Sequence, residues 1–129
     1  MDLFEKYYEE IKEDVKYDQI NILEKQLMLP AIKHKWVSRL VMAKRKKMEL
    51  EKRKKDAKEG VMATLQIPTG VPKVALNARI ESSETIRKID DEINETNIII
   101  EYLEKVEKIF SSVTYDIGNA TKLMVLETT

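Results

Sequence analysis

Cysteine is absent from the 129 residues, and glycine and proline occur only three times each. Without cysteine there are no disulfides, thiolate metal sites or thiol nucleophiles, which suits a reducing interior. So few backbone breakers in a chain that is 36% charged argue for long helices and against a sheet-rich fold. No apolar run approaches the roughly 20 residues that a membrane span needs. The opening Met1-Asp2-Leu3-Phe4-Glu5 lacks the basic start and apolar stretch of a signal peptide, so neither secretion nor membrane insertion is expected.

Catalytic constellations are missing as well. Three isolated glycines, Gly60, Gly70 and Gly118, cannot build a phosphate-cradling loop. The single histidine, His34, lies between Lys33 and Lys35 with no neighbouring carboxylate to activate it, and reads as a surface residue. Asp90-Asp91-Glu92 would fan over about 200° of a helix, so the three cannot converge on one metal ion. Ser82-Ser83 and Ser111-Ser112 have no adjacent base and read as capping or helix-surface residues. The chain is not expected to be an enzyme or to carry a cofactor or metal.

Lysine and arginine number 23, as do aspartate and glutamate, but the charges are sorted. Between Lys33 and Lys58 there are twelve basic residues against three acidic ones, which leaves eleven basic and twenty acidic elsewhere. This layout fits a polyanion-facing element on an acidic scaffold. It fits equally well two halves that neutralise each other within one fold or one oligomer.

The chain reads as a single all-α domain. Residues 1–62 hold the N-terminal helices, 63–82 a loop or hinge, and 83–127 one long C-terminal helix. Asp2 can cap a first helix whose apolar face is Leu3, Tyr7, Ile11 and Val15. A break at Tyr17-Asp18-Gln19 precedes a short helix from Ile20 to Leu27. Pro30 suits the first turn of a second long helix, and Gly60 its C-cap. The stripe Ile32, Trp36, Leu40, Ala43 continues through Lys47, Leu50, Lys54, Ala57 and Val61, so two lysines stand where a packed seam wants apolar residues. Trp36 could stack on a base, but its place on this stripe favours the core. Pro68, Gly70 and Pro72 mark a loop, with a short extended piece at Ala63–Ile67 and a helical turn at Asn77–Glu81 as lesser possibilities. Ser82 or Ser83 can cap the last helix.

That last helix carries Ile86, Ile89, Ile93, Thr96, Ile100, Leu103, Val106, Phe110, Val113, Ile117, Ala120 and Met124 along one line, mostly at coiled-coil spacings of four and three. About 43 residues make a helix of roughly 65 Å, against a diameter of about 36 Å for a compact chain of this size. Other copies are therefore expected to cover it. The candidate oligomerisation residues are Ile89, Ile93, Ile100, Leu103, Val106, Phe110, Val113 and Ile117.

In order and spacing the chain also resembles a known family. The N-terminal end of the likeness rests on Glu9-Glu10-Ile11-Lys12, Asp14-Val15, Asp18 and Lys35-Trp36, followed by the basic helix. The C-terminal end rests on Lys88-Ile89-Asp90, Tyr102-Leu103-Glu104, Thr114-Tyr115, Ile117 and Asn119-Ala120. These residues resemble the recombination mediators of T-even-type phages, the UvsY family. The resemblance implies a helical, non-enzymatic protein of the infected host's cytoplasm that forms a ring-like homo-oligomer and binds single-stranded DNA. It also implies a role in recombination and repair, loading the phage recombinase onto DNA covered by the phage single-strand-binding protein and contacting both proteins. The family's DNA contacts map to the end of the basic helix, here Lys52-Arg53-Lys54-Lys55 and Lys58. With their basic neighbours, the candidate DNA-binding residues are Lys44, Arg45, Lys47, Lys52, Arg53, Lys54, Lys55 and Lys58. Where relatives continue into an aromatic pair and a glycine, this chain has Glu59-Gly60-Val61-Met62.

Two other functions remain open at this level. One is a structural coiled-coil subunit without nucleic-acid binding. In that case Lys54 and Lys58 would serve as ion-pair partners between chains, with Glu95, Glu101 or Glu104 of the last helix as the counter-charge, rather than as DNA ligands. The other is a membrane-surface protein, which the lack of a broad apolar face in the basic half disfavours.

Overall fold

Asp2 opens the first helix, α1 (Leu3–Asp14), by accepting a 2.8 Å hydrogen bond from the Glu5 backbone N–H. The structure, a computed structural model, describes residues 2–65 and 70–128. Among these residues it contains four helices and no strand: α1, α2 (Ile22–Thr64), α3 (Lys73–Glu81) and α4 (Glu84–Thr128). The expected break follows α1. The Asp18 carboxylate accepts from the N–H groups of Ile20 and Asn21, and the Asn21 side chain accepts from the Asp18 N–H. This reciprocal pair satisfies the donors that a new helix start would otherwise leave open.

Two boundaries differ from expectation. The helix after the break does not stop at Leu27, because α2 runs straight through Pro30. A proline inside a helix removes one hydrogen bond, at about 3 kcal/mol. Pro30 and Gln26 are both exposed, so the carbonyl without its partner lies on the watered side. On the inner side Ile22, Leu29, Ile32, Trp36 and Leu40 are all buried, and their packing holds the helix together on both sides of the proline. Gly60 is not a C-cap either. The helix continues to Thr64, with Val61 half-buried on the inner stripe. Of the segment considered for extended structure, Ala63 and Thr64 are helical and residues 66–67 lie outside the described ones. The helical turn expected at Asn77–Glu81 is a full short helix that begins directly after Pro72. Ser83 is the serine that caps α4, accepting from the Ile86 N–H at 3.3 Å.

The chain packs as two units. The first comprises Met1–Val41 and Ile99–Thr129, the second Met42–Ile98. In the first, α1 and the N-terminal stretch of α2 pack on the C-terminal stretch of α4. Trp36 meets Phe110 at 6.4 Å between ring centroids and Tyr7 edge-on at 5.5 Å. In the second, the C-terminal stretch of α2 packs with α3 and the start of α4 around Leu50, Ile80, Ile86 and Ile89. Thr96 is buried, and its hydroxyl donates to the Glu92 carbonyl.

The seam of α4 is therefore core of its own chain. Ile86, Leu103, Val106, Phe110 and Ile117 are at most 2% exposed, Ile89 and Ile100 are also buried, and Ile93 and Val113 are half-buried. The expectation that other copies cover this seam rested on the length of the last helix against the diameter of a compact chain. Within each unit, packing partners from the same chain bury these residues.

Candidate nucleic-acid interface

The twelve cations of the basic run do not share one environment. Lys35, Arg39, Lys54 and Lys58 are held by carboxylates of the same chain. In the first unit Lys35 lies 2.7 Å from Glu10 and 2.6 Å from Asp14, and Arg39 pairs with Glu10. The Trp36 indole N–H donates to Asp14 at 2.8 Å. The Arg39 guanidinium stacks 4.9 Å from the Tyr7 ring and 4.8 Å from that of Trp36. Trp36 is 3% exposed, so it is a core residue with its polar atom satisfied rather than a stacking platform. The bond from Arg39 holds the Glu10 carboxyl below its ordinary pKa. Burial alone would lower the Lys35 pKa, but the bonds to Asp14 and Glu10 outweigh it and raise the value.

In the second unit Lys54 lies 2.7 Å from Asp90 of α4 and 3.6 Å from Glu81 of α3, and Lys58 pairs with Glu81. Lys54 of the inner stripe thus meets carboxylates of its own chain. The partners are Asp90 and the last residue of α3, whose packing on α2 no sequence period announces. The hydrogen bond to Asp90 raises the Lys54 pKa, and that from Lys58 lowers the Glu81 pKa. A lowered carboxylate pKa stabilises the fold above the unfolded value, near 4.5, and that stabilisation is lost as pH falls through the folded value. A raised lysine pKa acts at the other end, stabilising below about 10.5 and failing as pH rises through the folded value. Backbone amides of α3 are accordingly expected to lose hydrogen-exchange protection below about pH 4.5 while the core helices keep theirs.

Most of the other cations point away from this packing. Arg45, Lys46, Lys52, Arg53 and Lys55 are exposed, and none has a carboxylate within ion-pair distance among the described residues. At 100° per residue, Arg45 and Lys52 fall on the outer face of α2 about 10.5 Å apart, and Lys55 follows one turn later. Lys46 and Arg53 form a second line seven residues apart, with Glu49 and Asp56 between the two lines. Lys44 is exposed, while Lys47 is half-buried on the inner side. Of the sequence candidates, Arg45, Lys52, Arg53 and Lys55 share the accessible surface, whereas Lys54 and Lys58 are turned to the core side. Lys46 was missed, although its i, i+7 relation to Arg53 is visible in the sequence.

A second feature was missed on the same helix. Within the first unit, Leu23, Leu27, Pro30, His34, Val37 and Val41 follow one another at spacings of four and three along the exposed side of α2. Leu23 is 59% exposed, Leu27 84%, Val37 46% and Val41 50%. This is a coiled-coil rhythm, but it emerges only once α2 is continuous through Pro30.

A groove of about 160 Å³ in the first unit is lined mainly by Trp36, Val37, Leu40, Leu103 and Phe110, with Lys33 and Glu107 among its polar residues. Ser111 also lines it, and its hydroxyl donates to the Glu107 backbone carbonyl. No described helix is long and apolar enough to cross a membrane.

No family model matches the sequence, and no curated protein matches it. Solved structures do. Crystal structures of the bacteriophage T4 recombination mediator protein UvsY align with it end to end. The lattice type II form gives a TM-score of 0.82 at 17% identity, covering 100% of this chain and 99% of that one. The lattice type IV form gives 0.83 at 18% identity over 98% and 99%, and type III 0.72 at 19% over the full length of both. The chain has a UvsY-like fold.

Proposed function

We propose that this protein is a recombination mediator that binds single-stranded DNA through the outer face of the second half of α2. In this role it promotes loading of a phage recombinase onto DNA covered by single-strand-binding protein, in the cytoplasm of the infected host. The observation that carries the reading is the cluster Arg45, Lys52, Arg53 and Lys55, exposed and without carboxylate partners among the described residues. It stands on a chain folded throughout like a recombination mediator. Cations that the fold leaves unused are available to phosphates, and a rigid helix sets their spacing. Aromatic groups able to read bases are missing from the segment, so binding is indifferent to base sequence. Anisotropy titration of a labelled single-stranded oligonucleotide, repeated with anionic liposomes, tests this. Binding to the oligonucleotide with a steep salt dependence is expected, and binding to liposomes alone would refute it.

The rival reading, a structural subunit without nucleic-acid binding, draws support from Lys54 and Lys58, which the chain neutralises itself. It leaves the outer-face cations without a role.

Self-association belongs to the proposed function, and the surface suited to it is the line from Leu23 to Val41 on α2. A second copy presents the same self-complementary stripe at coiled-coil spacing, so like can pack on like across a two-fold axis. Leu27→Asp is expected to separate the copies, because it places a charge in the apolar contact. Since Leu27 is 84% exposed within one chain, the melting temperature of the separated chain should stay within a few degrees of the parent. Sedimentation together with circular dichroism checks both outcomes.

A further inference from the structure

Glu81 is placed between the two lysines that close the basic stretch of α2. It contacts Lys58 directly and Lys54 at 3.6 Å, while Asp90 holds Lys54 from the other side at 2.7 Å. A carboxylate presented to two lysines is chemically close to a phosphate oxygen presented to the same pair. The element that presents it is weakly anchored. The nine residues of α3 contribute one buried side chain, Ile80, and the Pro72 N-cap supplies no side-chain hydrogen bond. A helix of that length is not stable alone, so its position depends on Ile80 and on the Glu81 contacts. These contacts are half-open to water, with the Glu81 side chain 42% exposed and those of Lys54 and Lys58 25% and 39%. Ion pairs at such exposure exchange partners at little net cost.

We infer that Glu81 is an internal competitor for phosphate, so that docking of α3 and engagement of single-stranded DNA by Lys54 and Lys58 exclude one another. The inference rests on the single-strand reading above and adds its regulation. In the closed form only the outer-face cations are open to DNA. When a strand bound there extends to Lys54 and Lys58, its phosphates replace Glu81 and α3 leaves α2. By linkage the converse holds, and whatever holds α3 on α2 weakens DNA binding by the same factor. An element released in this way gives a partner protein a signal that DNA is bound.

The test uses the full chain, a labelled oligothymidylate and the variant E81Q. Removing the competing charge should tighten binding roughly five-fold, at the low end of ordinary coupling. The salt dependence should also steepen by about 0.7 for each lysine newly opened to phosphate. In the unaltered protein, saturating oligothymidylate should remove hydrogen-exchange protection from the α3 amides, a readout that does not depend on the variant folding. Wild-type affinity and slope in E81Q, or α3 protection that stays or rises with DNA bound, would overturn the inference. If the unaltered protein bound no oligothymidylate, the proposed function itself would fail, and the inference with it.

Discussion

Replacing Leu103 by Asp is expected to unfold the first unit of the chain rather than merely to dissociate an oligomer. Leu103 is 2% exposed, among neighbours that include Val106 and Phe110, which are equally buried. Removing its side chain from the core forfeits about 1.5–3 kcal/mol of apolar burial. The carboxylate put in its place is either ionised at a desolvation cost or protonated with its polar atoms poorly satisfied among the apolar neighbours. Together these effects exceed about 4 kcal/mol, a large share of the roughly 5–15 kcal/mol that holds a typical domain folded. A fall in melting temperature of roughly 10–20 °C, or loss of the folded baseline, should follow in thermal circular dichroism. A Leu103→Asp protein that melted like its parent while sedimenting as a smaller species would show that the seam of α4 serves other chains instead.

The contrast with Leu27→Asp marks what was legible in the sequence and what was not. The α4 seam was readable residue by residue, because twelve positions at spacings of three and four leave little ambiguity about which face is buried. Which surface covers it was not readable. That depended on α2 continuing through Pro30, where local preference argues for a helix start and the buried line Ile22, Leu29, Ile32, Trp36 overrides it. The same error hid the outer line from Leu23 to Val41, split in the sequence reading between a short helix and a second helix. The capping residues Asp2 and Ser83 were legible because their chemistry is local.

The candidate site divides in the same way. The sorting of charge into one basic run was legible in the sequence. Its two readings, a polyanion-facing element and internal neutralisation, were not separable there, nor were the cations that the fold itself engages. Lys54 and Lys58 are removed from the open set by Glu81, which lies more than twenty positions away in the chain. Lys35 and Arg39 are removed by Glu10 and Asp14. Long-range ion pairs leave no period in a sequence, so only the inner position of Lys54 hinted at one.

The largest functional effect is expected from the outer face of α2. The triple variant Arg45→Gln/Lys52→Gln/Lys55→Gln removes three exposed cations, none of which supports the core. Its fold and oligomer size should therefore equal those of the parent. Each cation that neutralises a phosphate on a single strand contributes about 0.7 to the slope of log affinity against log salt. Losing three should make that slope shallower by roughly 2 and reduce affinity at low salt by roughly ten- to a hundred-fold. The double variant Lys54→Gln/Lys58→Gln should lose less, since Glu81 and Asp90 already neutralise its lysines in the closed form.

The most direct measurement is therefore the salt dependence of oligothymidylate binding for the parent and the triple variant, titrated side by side at several salt concentrations. A parent with a steep slope and a triple variant with a much shallower one and weaker binding is the predicted result. Equal slopes and equal affinities in the two proteins would contradict the assignment of single-strand binding to the outer face of α2.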